Sequence, residues 1–81
     1  MQHPELILYS TWGCHLCEQA EQLLSAQQLQ YRLLDIVDDE VAFAQFRTSI
    51  PVLAAGPHLL AWPFDAVTLG DFIRQVRLQG N

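Results

Sequence analysis

Leu6-Ile7-Leu8-Tyr9-Ser10-Thr11-Trp12-Gly13-Cys14-His15-Leu16-Cys17 runs from a short apolar segment through a loop into a helical pattern. The continuous apolar run over 6–9 predicts a strand buried on both faces. Residues 10–13 read as a loop, and a helix follows over about 14–26. Leu16, Cys17, Ala20, Leu23 and Leu24 recur at helical spacing and mark its expected buried stripe, while Glu18, Gln19, Glu21 and Gln22 face water. Two thiols three positions apart at a helix start sit one turn from each other, close enough to close a disulfide. Cys14 also lies where unpaired backbone N–H groups and the helix dipole favour a thiolate.

Outward from this stretch, residues 31–36 read as a second strand. A helix intervenes between the two strands, so they are expected to be parallel with a right-handed crossover. Asp38, Asp39 and Glu40 supply a cap and first-turn acids to a short second helix ending near Phe46. Ile50-Pro51 breaks the chain. Residues 52–54 and 58–61 read as two short strands around Ala55-Gly56-Pro57, hence a hairpin. The last helix has two candidate starts, Asp65 and Thr68. Thr68-Leu69-Gly70-Asp71 resembles a capping box with Asp in place of Glu, which favours Thr68 and puts Gly70 in the first turn. Leu69, Phe72, Ile73 and Val76 are its expected buried positions. The order is βαβαββα, an α/β domain over 1–81 with a four-stranded mixed sheet flanked by three helices.

Composition narrows the function. The chain has 81 residues, 51% of them apolar, enough for one core without a structural staple. Its opening residues carry neither a cationic patch nor an apolar h-region, so no signal peptide is expected. No apolar run approaches the ~18 residues of a membrane helix. The default compartment is a reducing cytosol, where a thiol pair points to catalysis or metal binding rather than a stable bridge. Four arginines stand against nine acids, there is no lysine, and the net charge is −5. This charge argues against nucleic acid and against an anionic membrane surface.

Tyr9-Ser10-Thr11-Trp12-Gly13-Cys14-His15-Leu16-Cys17 resembles the Y-S-x-x-x-C-x-x-C start of glutaredoxins. Arg47-Thr48-Ser49-Ile50-Pro51-Val52 resembles the segment that carries the glutaredoxin T-V-P. Trp62-Pro63-Phe64-Asp65 is similar to the corresponding stretch of a small bacterial glutaredoxin-like family with a C-H-L-C motif. The resemblance spans nearly the whole chain in order. It implies a thioredoxin-like fold, a nucleophilic Cys14 and a cis Pro51 facing the disulfide. It further implies dithiol exchange with protein or small-molecule disulfides. Glutathione or a thioredoxin-reductase-type donor would supply the electrons, with no bound cofactor, in a cytoplasmic monomer. Many glutaredoxins carry a lysine where Thr11 stands, so weak glutathione binding is expected.

The candidate site residues follow. Cys14 is the nucleophile, because exchange needs a thiolate at an accessible position. Cys17, on the apolar stripe, is the resolving thiol; the alternative makes it core packing and Cys14 a monothiol catalyst. His15 either stabilises the Cys14 thiolate as a cation or is a solvated first-turn residue. Trp12 is a candidate substrate contact, although packing as a loop anchor is the commoner fate of an aromatic ring. A cis bond at Pro51 would turn the Ile50 backbone toward Cys14 for pairing with a substrate backbone. Arg47 could bind a carboxylate, and free N–H groups at Thr68 and Leu69 could receive another. Two further readings compete: an interaction module with inactive thiols, and a metal module. The metal reading is weak because His3, His15 and His58 have no paired ligand spacing, so no metal ligand is assigned.

Overall fold

The first strand owes its place to two different faces. In the computed structural model, which describes residues 5–79, β1 (Leu6–Ser10) lies between β2 (Arg32–Asp35) and β3 (Val52–Ala55). Leu8 pairs with Leu53 and Tyr9 with Val52, and successive side chains alternate across the sheet. Leu8 and Leu53 join Ala20, Leu24, Phe64, Leu69 and Ile73 in one apolar cluster. Val52 joins Ile36, Ala42 and Phe46 in a second, with Tyr9, Leu34 and Ile50 packed against it. Helices α1 (His15–Ala26) and α3 (Ala66–Gln79) therefore cover one face, and α2 (Glu40–Phe46) covers the other. His3, and the opening segment read for a leader, fall outside the described residues.

The sheet order is β2-β1-β3-β4, with β4 at His58–Ala61. β1 and β2 are parallel, and both other pairings are antiparallel. The element order is βαβαββα, with one added 3-10 turn at Ile36–Asp38. That turn shortens the second strand relative to the expected 31–36. Asp35 caps it by accepting a hydrogen bond from the Val37 N–H at 3.1 Å, which ends the ladder one residue early. Asp39 caps α2 in the same way through the Ala42 N–H at 3.0 Å.

Two expectations about the helices are corrected. Leu16, in the first turn of α1, is 44% exposed and joins neither apolar cluster. The buried stripe is Cys17, Ala20 and Leu24, with Leu23 half-buried. The last helix starts at Ala66, not Thr68. Asp65 accepts from the Thr68 N–H at 2.8 Å, so the acid two residues past cis Pro63 is the effective cap. Gly70 consequently sits in the second turn of α3. The expected core positions Leu69, Ile73 and Val76 are buried, and Phe72 is half-buried. No helix of the described residues is long and apolar enough to cross a membrane.

Candidate functional site

The loop between β1 and α1 turns at Trp12 and Gly13, where Gly13 adopts φ 77°, a left-handed conformation that a side chain disfavours. The chain then enters α1 with Cys14 as the N-cap, in extended backbone. Cys14 and Cys17 are joined by a disulfide, with their Cα atoms 5.2 Å apart. The Cys17 N–H donates to Cys14 Sγ at 3.1 Å. A sulfur in this position receives one of the helix's unpaired donors, which favours the thiolate when the bond is open. The two sulfurs differ in access. Cys17 is 2% exposed, while Cys14 is half-buried and borders solvent.

Both cysteines line an open depression of about 400 Å³. Trp12 lines it too and is 92% exposed, so it is not the packed loop anchor that was expected. Its neighbour Gly13 turns the chain there, and the half-exposed Leu33 is the apolar side chain that shares the lining. Glu18, Glu21 and Asp35 form the polar wall of the depression together with Ser10 and Thr11, and none of the three acids was among the site residues read from sequence. Glu18 and Glu21 had a readable signal, since they lie four and seven residues past Cys14 on one helical face. Asp35 had none. The parallel register, which sets it opposite Ser10, brings it to the site.

Local bonds hold two of these carboxylates. Asp35 accepts from Thr11 Oγ1 at 3.1 Å as well as from the Val37 N–H. Glu21 accepts from the Tyr31 hydroxyl at 2.8 Å. Burial first, then the bond and charge of Glu21, push the Tyr31 hydroxyl up to about 12.

The other candidate residues are placed as follows. His15 opens α1 and is exposed, but does not line the depression. The Ile50–Pro51 peptide bond is cis, and so is Trp62–Pro63, which was not anticipated. The Ile50 N–H is already donated to the Phe46 carbonyl at 3.2 Å, and the Pro51 carbonyl accepts from Trp62 at 3.1 Å. Among the described residues the Ile50 carbonyl accepts no such bond, and neither Ile50 nor Pro51 lines the depression. Arg47 follows α2 and is exposed, also outside the depression. The anion site proposed at Thr68 and Leu69 does not form. The Thr68 N–H is held by the Asp65 carboxylate, and the Leu69 N–H donates to the Asp65 carbonyl at 2.9 Å. Leu69 is fully buried. The Thr68 bonds hold the Asp65 carboxyl below the usual carboxylate range, so a negative charge already occupies that helix start. Among the described residues, no group of three or more His, Cys, Asp or Glu is placed to hold a metal ion.

Residues 5–74 match the family model of the glutaredoxin-like domain (DUF836). The chain belongs to this glutaredoxin-like family. Among solved structures, the X-ray structure of protein XcR50 from X. campestris is 33% identical, with a TM-score of 0.79. That match covers 86% of this chain and 96% of XcR50. Protein Ne2328 from Nitrosomonas europaea matches at 24% identity and a TM-score of 0.75, covering 90% of this chain and 94% of its own. The glutaredoxin from Archaeoglobus fulgidus shares the fold at 17% identity and a TM-score of 0.65, over 88% of this chain and 87% of that one. No curated protein sequence matches. The mixed four-stranded sheet with three helices is thus the thioredoxin-like fold. The glutaredoxin-like domain carries its cysteine pair in C-x-x-C spacing at the first helix start, which supports a thiol-redox role.

Proposed function

We propose that this glutaredoxin-like domain is a thiol–disulfide oxidoreductase that cycles Cys14 and Cys17 between dithiol and disulfide. The observation that carries the reading is the asymmetry of the pair. A helix N-cap sulfur that borders solvent and receives the Cys17 N–H stands beside a buried partner. In the reducing direction the Cys14 thiolate attacks one sulfur of a substrate disulfide and expels the other as a thiolate. Cys17 loses its proton and attacks Cys14 Sγ, which re-forms the intramolecular bond and releases the second substrate sulfur. Two electrons pass to the substrate, and the released thiolates take up protons. The Ile50 carbonyl beside Pro51 is a candidate docking group for an extended substrate backbone.

Glutathione or a thioredoxin-reductase-type enzyme would return the electrons, in a reducing compartment such as the cytoplasm. Arg47 is the cation near Pro51 in sequence that could hold a glutathione carboxylate. The test is alkylation of the reduced protein at neutral pH, followed by peptide mapping. Cys14 is expected to be labelled first. Cys14→Ser should abolish disulfide reduction, and Cys17→Ser should trap substrate as a mixed disulfide on Cys14. Faster labelling of Cys17, or turnover that survives Cys14→Ser, would overturn the assignment.

A further inference from the structure

The depression beside the disulfide has a one-sided charge. Glu18, Glu21 and Asp35 line it, and no Arg, Lys or His does. None of the three carboxylates is ion-paired among the described residues. Asp35 receives both of its bonds on Oδ1, and Glu21 receives the Tyr31 bond on Oε1. Each is therefore held through one oxygen, and the other accepts no hydrogen bond among the described residues. Glu18 and Glu21 continue the helical face that begins at Cys14, so the acidic track extends about 10 Å from the reactive sulfur. That is the length of about three residues of extended chain. Carboxylates alone would mark only a solvated helix face. Here they share a depression with a redox disulfide and with an indole that is 92% exposed. An exposed indole next to carboxylates is suited to a guanidinium or ammonium group, which can lie on the ring face while it meets an acid.

We propose that this depression selects polypeptide disulfides whose reactive cysteine is flanked, within about three residues, by Arg or Lys. The proposal rests on the oxidoreductase reading above and names its substrate class. Trp12 and Glu18 make the first contacts, and Glu21 and Asp35 receive a second cation farther along the track. Glu18 close to Cys14 opposes the thiolate through like charge. A bound cation offsets that repulsion, so a basic substrate assists its own attack. Anionic disulfides, oxidised glutathione among them, meet the same wall as repulsion, and the net charge of −5 adds long-range steering against them. The exchange balances within the pair: reduced Cys14 and Cys17 give two electrons and become the disulfide, and the peptide disulfide becomes two thiols.

The experiment uses full-length protein, reduced, freed of reductant and verified to hold two thiols, in single turnover. Its substrates are three synthetic peptide disulfides of one length, with the cysteine flanked by Arg, Gln or Glu. Release of peptide thiol is followed by chromatography. Each rate is divided by that of a neutral small dithiol on the same peptide, which removes differences in intrinsic reactivity. The Arg peptide is expected to react about tenfold or more faster than the Glu peptide at low ionic strength. The ratio should fall toward one at about 1 M salt, where the screening length is about 3 Å. Glu18→Gln should shrink the ratio several-fold, and Trp12→Ala should slow the Arg peptide more than the Gln peptide. Equal normalised rates for the three peptides, or a ratio indifferent to salt and to Glu18→Gln, would overturn the selectivity and leave the oxidoreductase reading standing. Failure to release thiol from any peptide would instead overturn the oxidoreductase reading itself.

Discussion

Tyr31 and Glu21 tie the entry of β2 to the middle of α1 through a 2.8 Å hydrogen bond. The bond has a pH signature. The hydroxyl is raised from 10.0 to about 12, chiefly by burial and then by the bond to Glu21. A proton held more tightly in the folded state contributes stability that is complete below the unfolded value and lost as pH rises through the folded one. Tyr31→Phe should therefore cost about 0.5–1.5 kcal/mol near neutrality, the net worth of one hydrogen bond. The difference from wild type should hold to about pH 10 and close toward pH 12. Denaturant titrations at several pH values check this, and a constant difference through pH 12 would refute it. Trp12 carries a different residue-scale lesson. Aromatic burial is the commoner outcome, yet the ring is 92% exposed on the turn that leads through Gly13 into α1.

At the scale of the element, α3 shows how one acid outcompetes a more regular pattern. The Thr68-x-x-Asp71 spacing fits a capping box, but Asp65 reaches the Thr68 N–H and starts the helix at Ala66. The cap at Asp65 rather than Thr68 moves Gly70 from the expected first turn into the second. A Cβ at Gly70 would meet only Gln27 Oε1, at 3.9 Å, an ordinary contact. Gly70→Ala should accordingly raise stability by about 0.5–1 kcal/mol, mainly by restricting the unfolded chain. Thermal unfolding checks it, and a lower midpoint would mean that the Gln27 side chain cannot accommodate the methyl. The same carboxamide donates from Nε2 to the Ala66 carbonyl at 2.8 Å, so α1 and α3 are joined at this point by a polar contact as well as by their apolar cluster.

For the whole molecule, the question is how much the redox bond contributes to the fold. The disulfide closes a loop of only a few residues, worth about 2 kcal/mol at most in the chain-entropy treatment. Of its two cysteines only Cys17 is deeply buried, and the two apolar clusters that join helices to sheet stand without either. Reduction should leave the far-UV dichroism unchanged and unfolding cooperative, with a modestly lower midpoint. Loss of cooperative unfolding in the reduced protein would show the bond to be structural and would weaken a cycling role. The element order, the parallel β1–β2 pairing and the cysteine pair at the first helix start could all be read from the chain. They depend on apolar period, on crossover geometry and on spacing, which are local in sequence. The acidic wall at Asp35, the exposure of Trp12, the early start of α3 and the loss of the Thr68 and Leu69 anion site could not. The start of α3 is a local choice between two candidate caps that spacing leaves open, and Asp65 takes it by reaching the Thr68 N–H. Asp35 joins the site only through the sheet register that sets it opposite Ser10, a contact that exists only after distant segments have packed.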